Sequence, residues 1–154
     1  MNGSVNTAIS RAGKLASNSE LLQRHAALFH NSGKKQTYIG GYNHYVKATD
    51  GSNNDPSIHA ECQAIKKFIE HYSRHNVNNA KIRRKLHKTS LIVVRLNNNK
   101  TSVDVNACMF SNSNPCSNCL ATIRKFGIKK IIVSNDYGEC RCKKGESNRT
   151  FHTI

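Results

Sequence analysis

Short β-rich segments alternate with amphipathic helical stripes along this chain, and that alternation restricts its fold more than any other feature. Val5, Ala8, Ile9, Ala12 and Leu15 recur at helical spacing after Ser4, an N-cap residue type, and predict a helix over about 5–17. Arg24–His30 reads as a strand, Asn31-Ser32-Gly33-Lys34 as a turn and Gln36–Tyr42 as the return strand. Lys47–Asn54 is polar and reads as a loop. Asp55-Pro56 then supplies an N-cap and a first-turn proline. Ala64, Ile65, Phe68, Ile69 and Tyr72 form the apolar stripe of a helix over about 56–72. The basic stretch His75–Lys88 either extends that helix or forms a solvated insertion, and its weak periodicity leaves both open.

Further on, Leu91–Leu96 and Val103–Phe110 read as strands around an Asn97–Lys100 turn, followed by the polar loop Ser111–Asn114. Asn114-Pro115 opens another helix, whose face carries Leu120, Ile123 and Phe126 and whose end is marked by Gly127. Ile128–Ser134 is a strand, and Asn135–Ile154 is a polar tail without an assignable pattern. Strands interleaved with helices predict an α/β fold, one mixed sheet covered by helices. With 154 residues, a single domain over 1–154 is expected, its last part, about 135–154, being the tail.

Charge bears on partners. Lys and Arg number 24 against 9 Asp and Glu, a net charge of +15, which favours anionic partners such as nucleic acid, nucleotides or phosphate. The excess is uneven: Lys66–Lys100 contains Glu70 as its single acid, and Lys81-Ile82-Arg83-Arg84-Lys85 is its densest cluster. A solvated helix face is the simpler reading of that cluster. The longest aliphatic run, Leu91–Val94, is far short of the roughly 20 residues a membrane span requires. Met1–Ser10 lacks the basic-then-apolar layout of a secretion signal, so a cytoplasmic protein without a membrane segment is expected. Six cysteines are present, and in a reducing compartment the pairs Cys116-x-x-Cys119 and Cys140-x-Cys142 read as metal or redox chemistry rather than disulfides.

Two short pieces carry the chemistry. His59-Ala60-Glu61 opens one predicted helix, and Pro115-Cys116-Ser117-Asn118-Cys119 opens another. Cys116 and Cys119 are three apart and share a helix face, near the positive end of the helix dipole, where thiolates and a dication are stabilised. One histidine and two cysteines make three zinc ligands, which leave a fourth position for water, as in catalytic zinc sites. Zinc lowers the pKa of such a water to about 7. Glu61 lies two residues from His59, placed to move protons without ligating the metal. Either piece alone is weak. Together, in this order, they match H-x-E…P-C-x-x-C, the zinc deaminase signature with the glutamate as general acid and base.

On these motifs the chain resembles the cytidine/deoxycytidylate deaminase superfamily. Arg24-His25-Ala26-Ala27-Leu28 looks like that family's first strand, and Tyr38-Ile39-Gly40-Gly41-Tyr42-Asn43 like its second. His59-Ala60-Glu61-Cys62-Gln63-Ala64-Ile65 is similar to its zinc helix, and Phe126-Gly127-Ile128-Lys129-Lys130-Ile131-Ile132 to the segment after its cysteine helix. The likeness runs from about Val5 to Asp136. It differs in the spacing of 53 residues between Glu61 and Pro115, longer than in compact members.

The resemblance implies a three-layer α/β/α cytidine-deaminase-like sandwich with one mixed sheet. It implies Zn2+ as the cofactor, held by His59, Cys116 and Cys119, with Glu61 as the catalytic residue. Asn43, which matches the family's ribose contact, and Ala60, Asn114 and Pro115 would bind substrate; Asn114 stands where relatives often carry Glu, Phe or Ser. The implied reaction is hydrolytic deamination of a cytosine nucleoside or nucleotide, in pyrimidine nucleotide metabolism. A homo-oligomer is expected by the same analogy. Cys140, Cys142 and His152 would form a second, structural zinc site as in some relatives; otherwise the two cysteines are tail thiols. Two further functions are open. One is base deamination within RNA or single-stranded DNA, including tRNA adenosine, which the charge favours and the scarcity of aromatics opposes. The other is a non-catalytic binding module in which Cys116, Cys119, Cys140 and Cys142 hold zinc.

Overall fold

The computed structural model describes residues 3–21, 23–31, 38–45, 57–96, 110–134 and 140–144. Along these residues run α1 (Gly3–Ala16), β1 (His25–His30), β2 (Gly40–Tyr42), β3 (His44–Tyr45), β4 (Ser57–Ile58) and α2 (Ala60–Arg74). They are followed by α3 (Asn79–Lys88), β5 (Ser90–Leu96), β6 (Phe110–Ser111), α4 (Ser117–Lys125), β7 (Lys130–Ser134) and β8 (Cys140–Lys144). The main sheet has the order β2-β1-β5-β7-β8, with β6 also paired to β5. It is mixed: β5 and β7 are parallel, and the other pairs are antiparallel. A separate two-stranded pair, β3–β4, stands outside it.

Strand alternation divides the core into two layers. Ala26 and Leu28 of β1 and Ile92 and Val94 of β5 pack on Ala8, Ala12 and Ala16 of α1. Ala27, Phe29, Leu91 and Val93 face the other way, onto Ala64, Ile65 and Phe68 of α2, Ile82 and Leu86 of α3, and Ile123 of α4. Helix, sheet and helix thus make the three layers expected. α2 lies close on β2, because a Cβ on Gly41 would stand 2.5 Å from Gln63 Cγ and 3.1 Å from the Ala64 backbone nitrogen. Gly127, at φ 78, ends α4 in the left-handed conformation that a C′ glycine adopts without strain.

The differences from the sequence reading that bear most on the site and its surroundings are these. α2 starts at Ala60 rather than Pro56, because Ser57 and Ile58 pair with Tyr45 and His44 and hold the chain extended up to His59. His75–Lys88 does not continue α2: Asn76 turns left-handed at φ 60, and a new helix starts after Asn78, whose side chain accepts from the Lys81 N–H at 2.9 Å. α4 starts at Ser117, capped by Cys116 rather than Asn114. The tail contains β8, which pairs antiparallel with β7. The predicted 47–54 loop, the 97–100 turn and the 103–109 part of the predicted strand lie outside the described residues.

Candidate metal centre

α2 and α4 both begin at one edge of the molecule, and their cap residues meet there. His59 is the N-cap of α2, extended at φ −74 and ψ 149, and its ring makes no capping bond. Its Nδ1 lies 3.1 Å from Cys119 Sγ and 3.6 Å from Cys116 Sγ. Cys116 is the N-cap of α4, where its sulfur accepts from the Cys119 N–H at 3.4 Å. The three donor atoms lie within 4.8 Å of one another, with His59 and Cys116 exposed and Cys119 buried.

The loop that delivers Cys116 is anchored by Ser113, which is fully buried. Its hydroxyl donates to the Val93 carbonyl at 2.6 Å and accepts from the Ser134 N–H at 2.8 Å. Its own N–H donates to the Ser134 carbonyl at 3.0 Å. One side chain therefore ties the approach to α4 to the ends of the parallel strands β5 and β7. Ligand sites of open α/β sheets gather at such carboxyl ends.

Glu61, in the first turn of α2, is 4% exposed. Burial pushes its carboxyl up, opposed by its own backbone N–H, the His59 charge and a hydrogen bond with Cys119. Burial likewise pushes the Cys119 thiol up, and the charge of Glu61 with the neighbouring Cys116 and Cys62 adds to the shift. The Glu61 charge thus opposes ionisation of the Cys119 thiol, and a dication beside them would relieve the conflict. One imidazole nitrogen and two sulfurs at this spacing suit tetrahedral zinc with its fourth position open.

A cavity of about 790 Å3 opens over this cluster, lined by His59, Ala60, Glu61 and Cys116 together with Asn43 and Asn114. Pro115 is buried between the two lining residues Asn114 and Cys116. Asn43 is already engaged: its Oδ1 accepts from the His25 N–H at 2.9 Å and its Nδ2 donates to the Gln23 carbonyl at 2.6 Å. Cys140 and Cys142 fall on β8. His152, which completed the expected second zinc set, lies outside the described residues.

Among the lining residues that the sequence reading did not single out are two charged or titratable ones, His25 and Arg95. They sit opposite each other in the β1–β5 pairing, at the end of the rows Phe29↔Leu91 and Ala27↔Val93. Both thus continue the inward face of the sheet at the point where α2 and α4 begin. Burial, the Arg95 charge and the His59 charge lower the His25 pKa to about 4, so at neutral pH Arg95 faces a neutral imidazole. The Arg95 Nε is buried and has no hydrogen-bond partner among the described residues. The signal in the sequence was an arginine on the apolar side of the alternation Leu91, Val93, Arg95.

Residues 5–135 match the family described as the cytidine and deoxycytidylate deaminase zinc-binding region. Among solved structures, the cytidine deaminase from Burkholderia pseudomallei shares the fold, with a TM-score of 0.57 over 94% of each chain and 12% sequence identity. None of the curated protein sequences compared with the chain matches it significantly. The donors that converge among the described residues are His59, Cys116 and Cys119, the set of the catalytic reading, with Glu61 beside them. An imidazole, two thiols and a buried carboxyl converging where two helices begin are what that family requires, and the chain belongs to it as a zinc-dependent hydrolytic deaminase.

Proposed function

We propose that the substrate is a cytosine nucleoside or nucleotide, converted to its uracil counterpart with release of ammonia, and that Glu61 moves the protons. The observation that carries this reading is the buried Glu61 carboxyl on the wall of the cavity that also holds His59 and Cys116. His59 and the sulfurs of Cys116 and Cys119 would hold the ion. Zinc, when bound, supplies the Lewis acidity that makes water a nucleophile near neutral pH.

Glu61 accepts the proton that water gives up as the water oxygen bonds to the amino-bearing carbon, and passes it to the adjacent ring nitrogen. A second transfer through the same carboxyl lets the amino group leave as ammonia when its C–N bond breaks. A carboxyl pushed up by burial holds a proton more firmly than an exposed glutamate, which suits a group that must both take and return one. Ala60 and Asn114 border the space open to the base, with Pro115 buried behind Asn114. Asn43 keeps one amide N–H beyond its bond to Gln23, enough to meet a sugar hydroxyl.

Arg95 supports nucleotides over nucleosides within this class. A guanidinium whose Nε lacks a partner among the described residues, opposite a neutral histidine, is suited to a phosphate on the bound substrate. The test is a panel of cytidine, deoxycytidine and their monophosphates, adenosine, guanine and short RNA, with ammonia release read for each. Turnover of the cytosine monophosphates bears the reading out. An Arg95→Gln enzyme should then lose affinity for the monophosphates and keep its KM for the nucleosides. Turnover confined to adenosine or to RNA would overturn the substrate assignment, and an equal KM change for both substrate forms would overturn the role of Arg95.

A further inference from the structure

A second cavity, of about 370 Å3, lies at the far end of the same elements. β1 runs from His25, at the metal cavity, to Phe29, which borders this one. α2 runs from Ala60 to Tyr72, about 18 Å at 1.5 Å per residue. The floor is a column of aromatic rings: Phe29 and Phe68 are 4.6 Å apart between centroids, and Phe68 and Tyr72 4.8 Å. The wall is α3.

Along that wall, Lys81, Arg84, Lys85 and Lys88 all line the cavity and all are exposed. Their spacing of three, four and seven residues places them on one helix face. Ile82 and Leu86 occupy the face that packs into the core. None of the described lining residues is acidic, and no ion pair neutralises any of the four among the described residues. Lys85 Nζ rests 4.9 Å from the centre of the Tyr72 ring, so the aromatic floor carries cations rather than offering a free face to a base. An amphipathic helix needs polar residues on its outer face. It does not need four cations in an unbroken stripe over a cavity, where like charges repel.

We propose that this groove binds the phosphate backbone of single-stranded nucleic acid, independently of sequence, through Lys81, Arg84, Lys85 and Lys88. The stripe is about 10 Å long, enough to meet more than one phosphate of an extended strand. A flexible single strand can follow one short helix and dip into a concavity beside it, which a stiff duplex cannot. The net charge of +15 would draw a polyanion toward the molecule from a distance. The inference rests on the charges of α3 and not on the deamination reaction, so each can fail without the other.

The test is fluorescence anisotropy with short labelled single strands of mixed sequence, RNA in one arm and DNA in the other, titrated across a range of salt. Four phosphate contacts on a single strand correspond to a slope of about 3 in log K against log salt. A variant with Lys81, Arg84, Lys85 and Lys88 all replaced by Gln should lose that share of the slope, about fifty-fold in affinity at the low end of a fourfold salt range. The control is a charge-matched variant with Lys14, Lys66, Lys125 and Lys129, exposed residues elsewhere, replaced by Gln. It should keep the slope nearly intact. Helix content by circular dichroism and zinc content by metal analysis show that both variants remain folded. Equal losses in the two variants would reduce the effect to net charge and overturn the proposal. So would an unchanged slope in the stripe variant, or a duplex bound as tightly as the single strand.

Discussion

The metal cavity and the basic groove share β1 and α2 yet are made in opposite ways. At the first, the working groups are short side chains on helix caps and inward strand positions, several of them buried, each held by a neighbour. His59 meets two sulfurs, Ser113 ties the cysteine loop to two strands, and Glu61 is almost fully enclosed. At the second, the working groups are long, exposed and alike, set in a row by the pitch of α3 with Lys85 resting on the Tyr72 ring. Chemistry on a ring carbon requires groups fixed to fractions of an ångström. Holding a flexible polyanion requires only enough charge along a line. One end of the molecule is thus built for position and the other for charge, and substitutions should affect them differently.

The widest separation between the two ends should come from Glu61→Gln. Turnover is expected to fall by about a hundred- to ten-thousandfold, with zinc content by metal analysis unchanged and the salt slope of strand binding unmoved. A variant that still deaminates near the native rate would remove Glu61 from the reaction. Stripping the metal with a chelator should divide the two ends in the same way, abolishing ammonia release while strand binding persists.

A smaller difference is expected in acid. His25 is held neutral, its pKa lowered from 6.5 to about 4, and burial with the Lys130 charge lowers that of His30 in the same direction. Unfolded chains take up these protons near pH 6.5, and the folded protein refuses them until lower pH. Stability is therefore full above pH 6.5 and falls as pH drops toward 4, by up to about 3 kcal/mol for His25. Urea unfolding across that range should show a shallower acid loss in His25→Gln than in the native chain. Parallel curves for the two proteins would contradict the assignment.

Ser113→Ala removes the hydroxyl and its bonds without adding volume at this fully buried site, leaving the Val93 carbonyl and the Ser134 N–H without that partner. A loss of about 2 kcal/mol in unfolding free energy is expected, with weakened zinc retention, because the loop to Cys116 loses its anchor. Strand binding at the distant groove should stay as it was. The smallest effect belongs to the other end: Asn78→Ala removes the cap of α3 and should cost about 1 kcal/mol. There strand binding should weaken while zinc content and turnover of cytidine hold. Were both ends to weaken together in either variant, the two regions would be one cooperative unit.

Helix and strand identities were largely legible in the sequence, and their starts were not. The stripe from Ala64 to Tyr72 predicts α2, but Asp55-Pro56 looks like its beginning only because local signals cannot show that Ser57 and Ile58 pair with residues 44 and 45. That pairing keeps His59 extended as a cap, which turns its ring toward the sulfurs. Cys116 shows the same limit, since a thiol is not a usual cap residue and Asn114 is. Left-handed Asn76 divides α2 from α3, a break that weak periodicity did not decide.

What the sequence determined by itself was the chemical inventory: an imidazole and a carboxyl two residues apart, two thiols three residues apart, and helical or strand spacing around both. Those follow from neighbours along the chain, where backbone periodicity sets which side chains share a face. The cavity was decided only by tertiary structure, because it depends on register between distant strands. His25 and Arg95 become wall residues when β1 and β5 pair, and four cations become one groove when α3 folds back over Phe29, Phe68 and Tyr72. Contacts between residues far apart in sequence leave no local periodicity to read, so packing alone discloses them.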